Sequence, residues 1–234
     1  MLVVRVCPFL ISKSYENRVI KLAGYDLKMS KQTTREVIVE EADQLFYQQG
    51  YEYTSFADIA DAVKISRGNF YYHFKSKDEI LDAVINLRLT KTQNMLERWD
   101  IAGNTPTDRI KSFIHILIVN QDKIKQHGCP VGTLTTELAK LNHPNQAKAN
   151  QLFTLFRSWL SEQFLLLGCK DDADDLAMHL LARSQGVATM ATAFQDDSFI
   201  KNEVDLMCVW LSSNTVRSRS ETKKMENTYV TLAK

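Results

Sequence analysis

Apolar residues recur along this chain at spacings of three and four, the period of helices with one face turned inward, and strand-like alternation is scarce. Organised sequence begins at Thr33, which stands in capping-box spacing with Glu36. Ile38, Ala42, Leu45 and Phe46 follow as a stripe, and Gly50 is a natural stop. Thr54-Ser55 offers a second N-cap, ahead of Phe56, Ile59, Ala60 and Val63. Lys64-Ile65 reads as a turn, and Ser66 opens a third short helix that ends near Phe74. Ser76 and Glu79 repeat the capping-box spacing and start a long fourth helix, expected to reach about Trp99.

The pattern stays helical beyond. Thr105-Pro106-Thr107-Asp108 reads as N-cap, N1 proline and N3 acid. The fifth helix then carries Ile110, Phe113, Ile114, Leu117 and Ile118 and is expected to continue unbroken to Gly128. Cys129-Pro130 opens a sixth, to about Leu141, and His143-Pro144 interrupts the chain. A seventh runs to Leu167, with Gly168 as its stop. The eighth spans about 171–194, and a ninth follows Asp197 to about Ser213. Only eight Gly and four Pro interrupt 234 residues, so the expectation is an all-α chain.

Charge divides the chain. Residues 1–29 carry five basic and two acidic side chains, and residues 216–234 carry the same, so each end is +3. With an overall charge of +1, the middle is left at −5. The two ends read as a disordered N-terminal arm or extension and a disordered tail. Four cysteines (Cys7, Cys129, Cys169, Cys208) lie far apart with no C-x-x-C spacing, so neither a metal cluster nor a disulfide framework is implied, and no cofactor motif is present. No apolar run approaches a membrane span, and a reducing cytoplasm fits.

Within the acidic middle, Val63–Lys77 is a basic island with four Lys/Arg and no Asp or Glu. Arg67, Asn69, Tyr71, Tyr72 and His73 crowd donors and hydroxyls into about two helical turns, which suits phosphate oxygens and base edges. Three short helices with a tight turn between the last two is helix-turn-helix spacing, where the second of the pair enters the major groove of DNA. Ile59, Ala60, Phe70 and Phe74 are placed to bury the contact between them. Gly68 in a helix costs about 1 kcal/mol relative to Ala, which makes sense where DNA must approach closely.

The run Thr54-Ser55, Ile59-Ala60, Ser66-Arg67-Gly68, Phe70-Tyr71-Tyr72-His73-Phe74 and Ser76-Lys77-Asp78-Glu79-Ile80-Leu81 resembles the DNA-binding domain of the TetR family of transcriptional regulators. The resemblance covers about 33–85. It implies a helix-turn-helix domain over 30–76 and a C-terminal helical bundle over 77–215 for effector binding and dimerisation. It also implies roles. Thr54 would bind a phosphate. Ser66, Arg67, Gly68 and Asn69 would meet base edges or nearby phosphates, and Tyr71, Tyr72 and His73 would clamp the backbone. Lys77 would offer its charge, and its helix's first amides, to a phosphate. Plainer roles compete: a half-buried Tyr71 or Tyr72, His73 as a C-terminal cap, Asn69 fixing the helix start, Lys64 and Lys75 as solvated charges.

The same resemblance implies a homodimer through the helices at about 171–194 and 198–213. The first is small-sided at Ala182, Ser184, Gly186, Ala188, Ala191 and Ala193, and the second is apolar at Leu206, Met207, Val209, Trp210 and Leu211. A small-molecule effector of unknown identity would bind among Trp99, Phe113, His115, Phe153, Phe156, Trp159 and Met190, although side chains of this kind at helical spacing are more often plain core. Cys129, at a helix N-terminus, allows a redox- or electrophile-sensing repressor, against the plainer reading of a small residue at a cap. The function expected is a ligand-responsive repressor of operator DNA. The rivals are an enzyme, for which no nucleophile triad, phosphate loop or metal pair is present in the sequence, and a helical protein-interaction module without DNA binding.

Overall fold

The computed structural model describes residues 21–22, 25–26, 32–196 and 198–214. They fall in two compact units, Met1–Thr34 and Arg35–Lys234. In the first, the strands β1 (Lys21–Leu22) and β2 (Tyr25–Asp26) pair antiparallel, Lys21 opposite Asp26. The arm expected over 1–29 otherwise lies outside the described residues, as does the tail expected over 216–234.

The described residues of the second unit form helices joined by short turns. Its elements are α1 (Thr34–Gln49), α2 (Phe56–Val63), α3 (Arg67–His73), α4 (Lys77–Ala102), α5 (Pro106–Val119), α6 (Gln121–His127), α7 (Pro130–Lys140), α8 (Gln146–Leu166) and α9 (Ala173–Phe194). A further helix, α10, covers 199–214. Among the described residues, no helix is long and apolar enough to cross a membrane.

The caps explain most boundaries. Gly50, at φ +92°, ends α1 in the left-handed region that suits glycine. Ser55 caps α2 in a full capping box with Asp58, and the bonds from the Ser55 backbone and hydroxyl hold the Asp58 carboxyl below its usual range. Ser66 caps α3 by accepting the Asn69 N–H. Ser76 caps α4, but Glu79 reaches back to the Lys75 N–H at 2.7 Å, one residue before the cap, so the box expected there is displaced.

One expected helix is two. The stretch from Pro106 to Gly128 breaks at Asn120, where ψ swings to 13°. The Asn120 side-chain amide donates to the Ile116 carbonyl at 3.0 Å, the same carbonyl that accepts its backbone N–H at 3.1 Å. An Asn that bonds locally in this way competes with the helical ladder.

Two clusters of buried side chains form the core. The first gathers Ile38, Ala42 and Phe46 of α1, Ile59 and Ala60 of α2, Phe70 of α3 and Phe74 with Ile80, Leu81, Val84 and Ile85 of α4. Leu134 and Leu138 of α7 and Ala149 of α8 close it from the far side. The second gathers Leu96 of α4, the inner faces of α5, α8 and α9, and Ile200, Val204, Met207 and Leu211 of α10. Helix α4 therefore belongs to both, its first turns in one and its Leu96 in the other. At about 1.5 Å per residue its 26 residues span roughly 39 Å.

A buried ion pair pins this arrangement. Asp43 lies on the inward stripe of α1 and Arg88 on that of α4, with Arg88 Nε donating to Asp43 Oδ1 at 2.6 Å. Arg88 Nη1 also donates to the Pro130 carbonyl at 2.5 Å, tying in the first turn of α7. Removing one partner of a buried pair strands the other charge and costs about 3–5 kcal/mol. Arg88→Met is accordingly expected to lose at least about 3 kcal/mol of unfolding free energy in a urea titration. A loss under about 1 kcal/mol would show that Asp43 is well solvated without it.

Candidate nucleic-acid interface

Helix α3 lies inside the basic island and is largely exposed. Its anchor is Phe70, 1% exposed, packed edge-on to Phe56 of α2 with ring centroids 5.2 Å apart. At 100° per residue, Gly68 and Tyr72 stand opposite Phe70, and Tyr71 and Arg67 continue the same arc at about 100° and 60° from it. All four are exposed, as is Asn69, while His73 is half-buried. Tyr71 stacks on Phe56 at 5.5 Å and keeps half of its surface open, so a packed ring and an accessible hydroxyl coexist in one side chain. Tyr72 is 78% exposed, with its ring edge-on to His73. Lys75 folds back onto the Tyr71 carbonyl at the end of α3.

Gly68 sits in the middle of this face. A Cβ built there meets nothing within 4 Å, and its backbone is ordinary helix, so neither packing nor strain calls for glycine. The open space is on the outside, where a duplex would approach.

Two expected contacts are placed differently. Thr54 is fully buried, and its hydroxyl donates to the Gly50 carbonyl at 2.6 Å while accepting from Gln49 Nε2 at 3.3 Å. Its proton is committed inside the fold, and the exposed residues at the start of α2 are Tyr53 (84% exposed) and the cap Ser55. Lys77 Nζ donates to the carbonyls of Tyr51 and Glu52 at 3.0 and 3.2 Å and lies 4.3 Å from the centre of the Tyr51 ring. Its charge is held by the α1–α2 corner rather than pointed outward.

That corner is the centre of a polar network the sequence reading did not anticipate. Tyr51 donates from its hydroxyl to Asp78 Oδ1 at 2.5 Å. Burial, and then this bond, push the Tyr51 hydroxyl well above its usual pKa, and the same bond is the main cause holding Asp78 low. The Asp78 contribution is thus present above the ordinary carboxylate range and disappears as pH falls through its depressed value. His143, between α7 and α8, accepts the Asn145 N–H at Nδ1 at 3.1 Å, which leaves the proton of a neutral ring on Nε2, 3.3 Å from the Tyr51 hydroxyl and 3.4 Å from Asp78. Lys148 of α8 pairs with Asp82 of α4. Tyr47 of α1 donates to the Gly128 carbonyl at 2.8 Å, and burial pushes its hydroxyl up to about 12.

The effector candidates divide. Trp99 and Trp159 meet at 5.6 Å, Phe113 and Phe156 at 5.5 Å, and Phe153 packs against the same cluster. Trp159 Nε1 donates to Asp100 at 3.0 Å, so its polar end is satisfied within the protein. His115 is exposed, with Nδ1 2.7 Å from the Lys111 carbonyl, and Met190 is 41% exposed, so neither joins them. A groove of about 550 Å³ lies instead between α4 and α8, lined by Leu89, Thr90, Gln93, Asn94, Gln151, Thr154, Leu155 and Ser158. None of these was selected from the sequence. Cys129 is half-buried at the start of α7 and makes no side-chain capping bond.

The Gly68 geometry generates a two-sided prediction. Gly68→Ala should raise stability, by up to about 1 kcal/mol in a urea titration, because a helix gains from Ala and nothing obstructs the methyl. The same substitution should weaken duplex binding in a fluorescence anisotropy titration. Unchanged DNA affinity would move the duplex away from this face.

The chain resembles known proteins along most of its length. Residues 38–84 match the profile described as bacterial regulatory proteins, tetR family, and residues 106–203 match the C-terminal domain of LmrA/YxaF-like transcriptional regulators. An uncharacterised helix-turn-helix transcriptional regulator of Lactococcus lactis is 30% identical over 74% of this chain and 91% of its own. The repressor DhaR of a Mycobacterium species is 26% identical over 56% of this chain and 64% of its own. For the fold, a TetR transcriptional regulator of Legionella pneumophila superposes with a TM-score of 0.68 at 24% identity, over 80% of this chain and 99% of that one. With the two profile matches and the relatives in agreement with its helical fold, the chain belongs to the TetR family of transcriptional regulators.

Proposed function

We propose that this regulator is a dimeric repressor that grips operator DNA through α3 and releases it when an uncharged small molecule enters beside α4. The observation that carries the reading is the exposed face Arg67-Gly68-Tyr71-Tyr72, mounted on a core from which α4 continues directly into the body. Arg67 is the residue suited to base edges, while the tyrosine hydroxyls suit phosphates.

The partner copy is expected on α9 and α10. Their outward faces leave Met178, Met190, Phe194, Leu206 and Val209 exposed, beside Ala182, Gly186 and Ala193. Their inward residues Ser184, Ala188, Ala191, Met207 and Leu211 are already spent on the chain's own core. A continuous apolar face with small residues between larger ones fits an isologous helix pairing. In such a dimer two α3 helices would read successive major grooves about 34–36 Å apart.

The groove between α4 and α8 fits the effector better than the aromatic cluster, whose members pack on each other. Its lining holds two leucines, three amides and three hydroxyls and no charged group, which suits a neutral ligand with hydrogen-bonding atoms. Such a ligand shifts the protein only by binding one spacing of the two reading heads better than the other.

The test is a duplex selected by the protein from a random-sequence pool, titrated in salt. Affinity should fall about a hundredfold or more between 50 and 200 mM salt. Arg67→Ala should cost about 1–3 kcal/mol and relax the base preference at one position of each half-site. Failure to select any sequence would overturn the reading. For the dimer, Val209→Glu should convert the species seen in sedimentation from two chains to one, and an unchanged dimer would place the interface elsewhere.

A further inference from the structure

Tyr51 and Glu52 make the corner between α1 and α2, and their backbone is held from two sides. Glu137 of α7 accepts the Tyr51 N–H at Oε2 and the Glu52 N–H at Oε1, both at 2.9 Å. Lys77 of α4 donates to the two carbonyls of the same residues. Both N–H groups and both C=O groups of the corner are thus bonded to charged side chains, from helices that begin 26 and 79 residues further along the chain. The approach requires Gly50. A Cβ there would stand 3.0 Å from Glu137 Oε1, and the backbone is at φ +92°.

We infer that Glu137 is a positioning residue for operator binding: it fixes the angle at which α2 and α3 leave the body. This rests on the regulator reading above. The carboxylate is the group the corner needs. It is acceptor-only, with two oxygens that meet two successive N–H groups in parallel, and its charge strengthens both bonds. A glutamine of the same shape has one accepting oxygen and turns an NH₂ toward the second N–H. Its two carboxylate oxygens bond the corner, and it is not among the residues lining the groove, so the corner is its route to the DNA. Leu134 and Leu138 flank it on α7 and are buried in the core shared with α1, α2 and α3, which makes α7 a firm base for the grip.

The consequence is a split between two kinds of binding. An unrelated duplex is held by phosphate contacts that each reading head makes for itself. A selected operator also needs both heads held at the half-site spacing, which is what the grip maintains. The experiment compares wild type with Glu137→Gln and Glu137→Ala. It measures affinity for the duplex that wild type selects, affinity for an unrelated duplex of equal length, and hydrogen-exchange rates of the Tyr51 and Glu52 amides. The expected result is exchange at these two amides faster by about tenfold, in line with the loss of a bond to a charged acceptor. Operator affinity should fall by a similar factor of about ten, with the unrelated duplex held within about twofold. Glu137→Gln should lie between wild type and Glu137→Ala. Wild-type exchange and selectivity in both variants would overturn the inference, and so would a parallel loss on both duplexes with exchange faster throughout the chain. A wild-type protein that selects no duplex would instead sink the regulator reading on which it stands.

Discussion

Helix α4 cannot move in one half of this protein without consequence in the other. Its first turns bury Ile80, Leu81, Val84 and Ile85 among α1, α2 and α3, and Leu96 is buried with α5, α8 and α9. A single rod crossing two cores is a constraint that neither core can relax alone, because packed interiors shift between arrangements rather than deform smoothly. The polar bonds follow the same logic. Asp43 is bonded to Arg88 of α4, Tyr47 to the Gly128 cap that ends α6, Tyr51 to Asp78 of α4 and to Glu137, and Glu52 to Glu137.

This division of labour explains why the exposed and buried charges differ so much in role. Arg67 and Lys64 stand in solvent on the α2–α3 side, available to a polyanion. Arg88 and Lys77, in the same stretch of sequence, are turned into the protein, where one neutralises Asp43 and the other satisfies two carbonyls. Basic residues near a helix-turn-helix therefore serve two purposes, and only accessibility separates them. A buried ionic contact adds little net stability over an apolar one, but it penalises any arrangement that leaves a charge alone. That penalty suits a joint whose geometry matters.

The fold was legible in the chain because its signals are local. Period, caps and glycines placed α1 to α4 and α7 to α10 within a few residues of their observed ends, and Ile59, Ala60, Phe70 and Phe74 were recognisable as the seam between α2 and α3. The break at Asn120 was not legible because no glycine or proline marks it. The exposure of Arg67, Gly68, Asn69, Tyr71 and Tyr72 was legible, since they project from a helix whose buried side is marked by Phe70. The bonds of Thr54 and Lys77 were not legible, because their partners are backbone carbonyls that only the fold brings near. Asp43 and Arg88 carried a signal that was overlooked, since each is a charge on an otherwise apolar stripe. Glu137 carried none, because its two partners lie 85 and 86 residues away.

The central claim is that α3, presented in duplicate at a fixed separation, is what reads DNA. A hydroxyl-radical footprint on a duplex selected by the protein addresses it directly. Two protected patches centred about 10–10.5 base pairs apart, or a whole multiple of that spacing, are the predicted result. One patch, or protection with no preferred position, would contradict it.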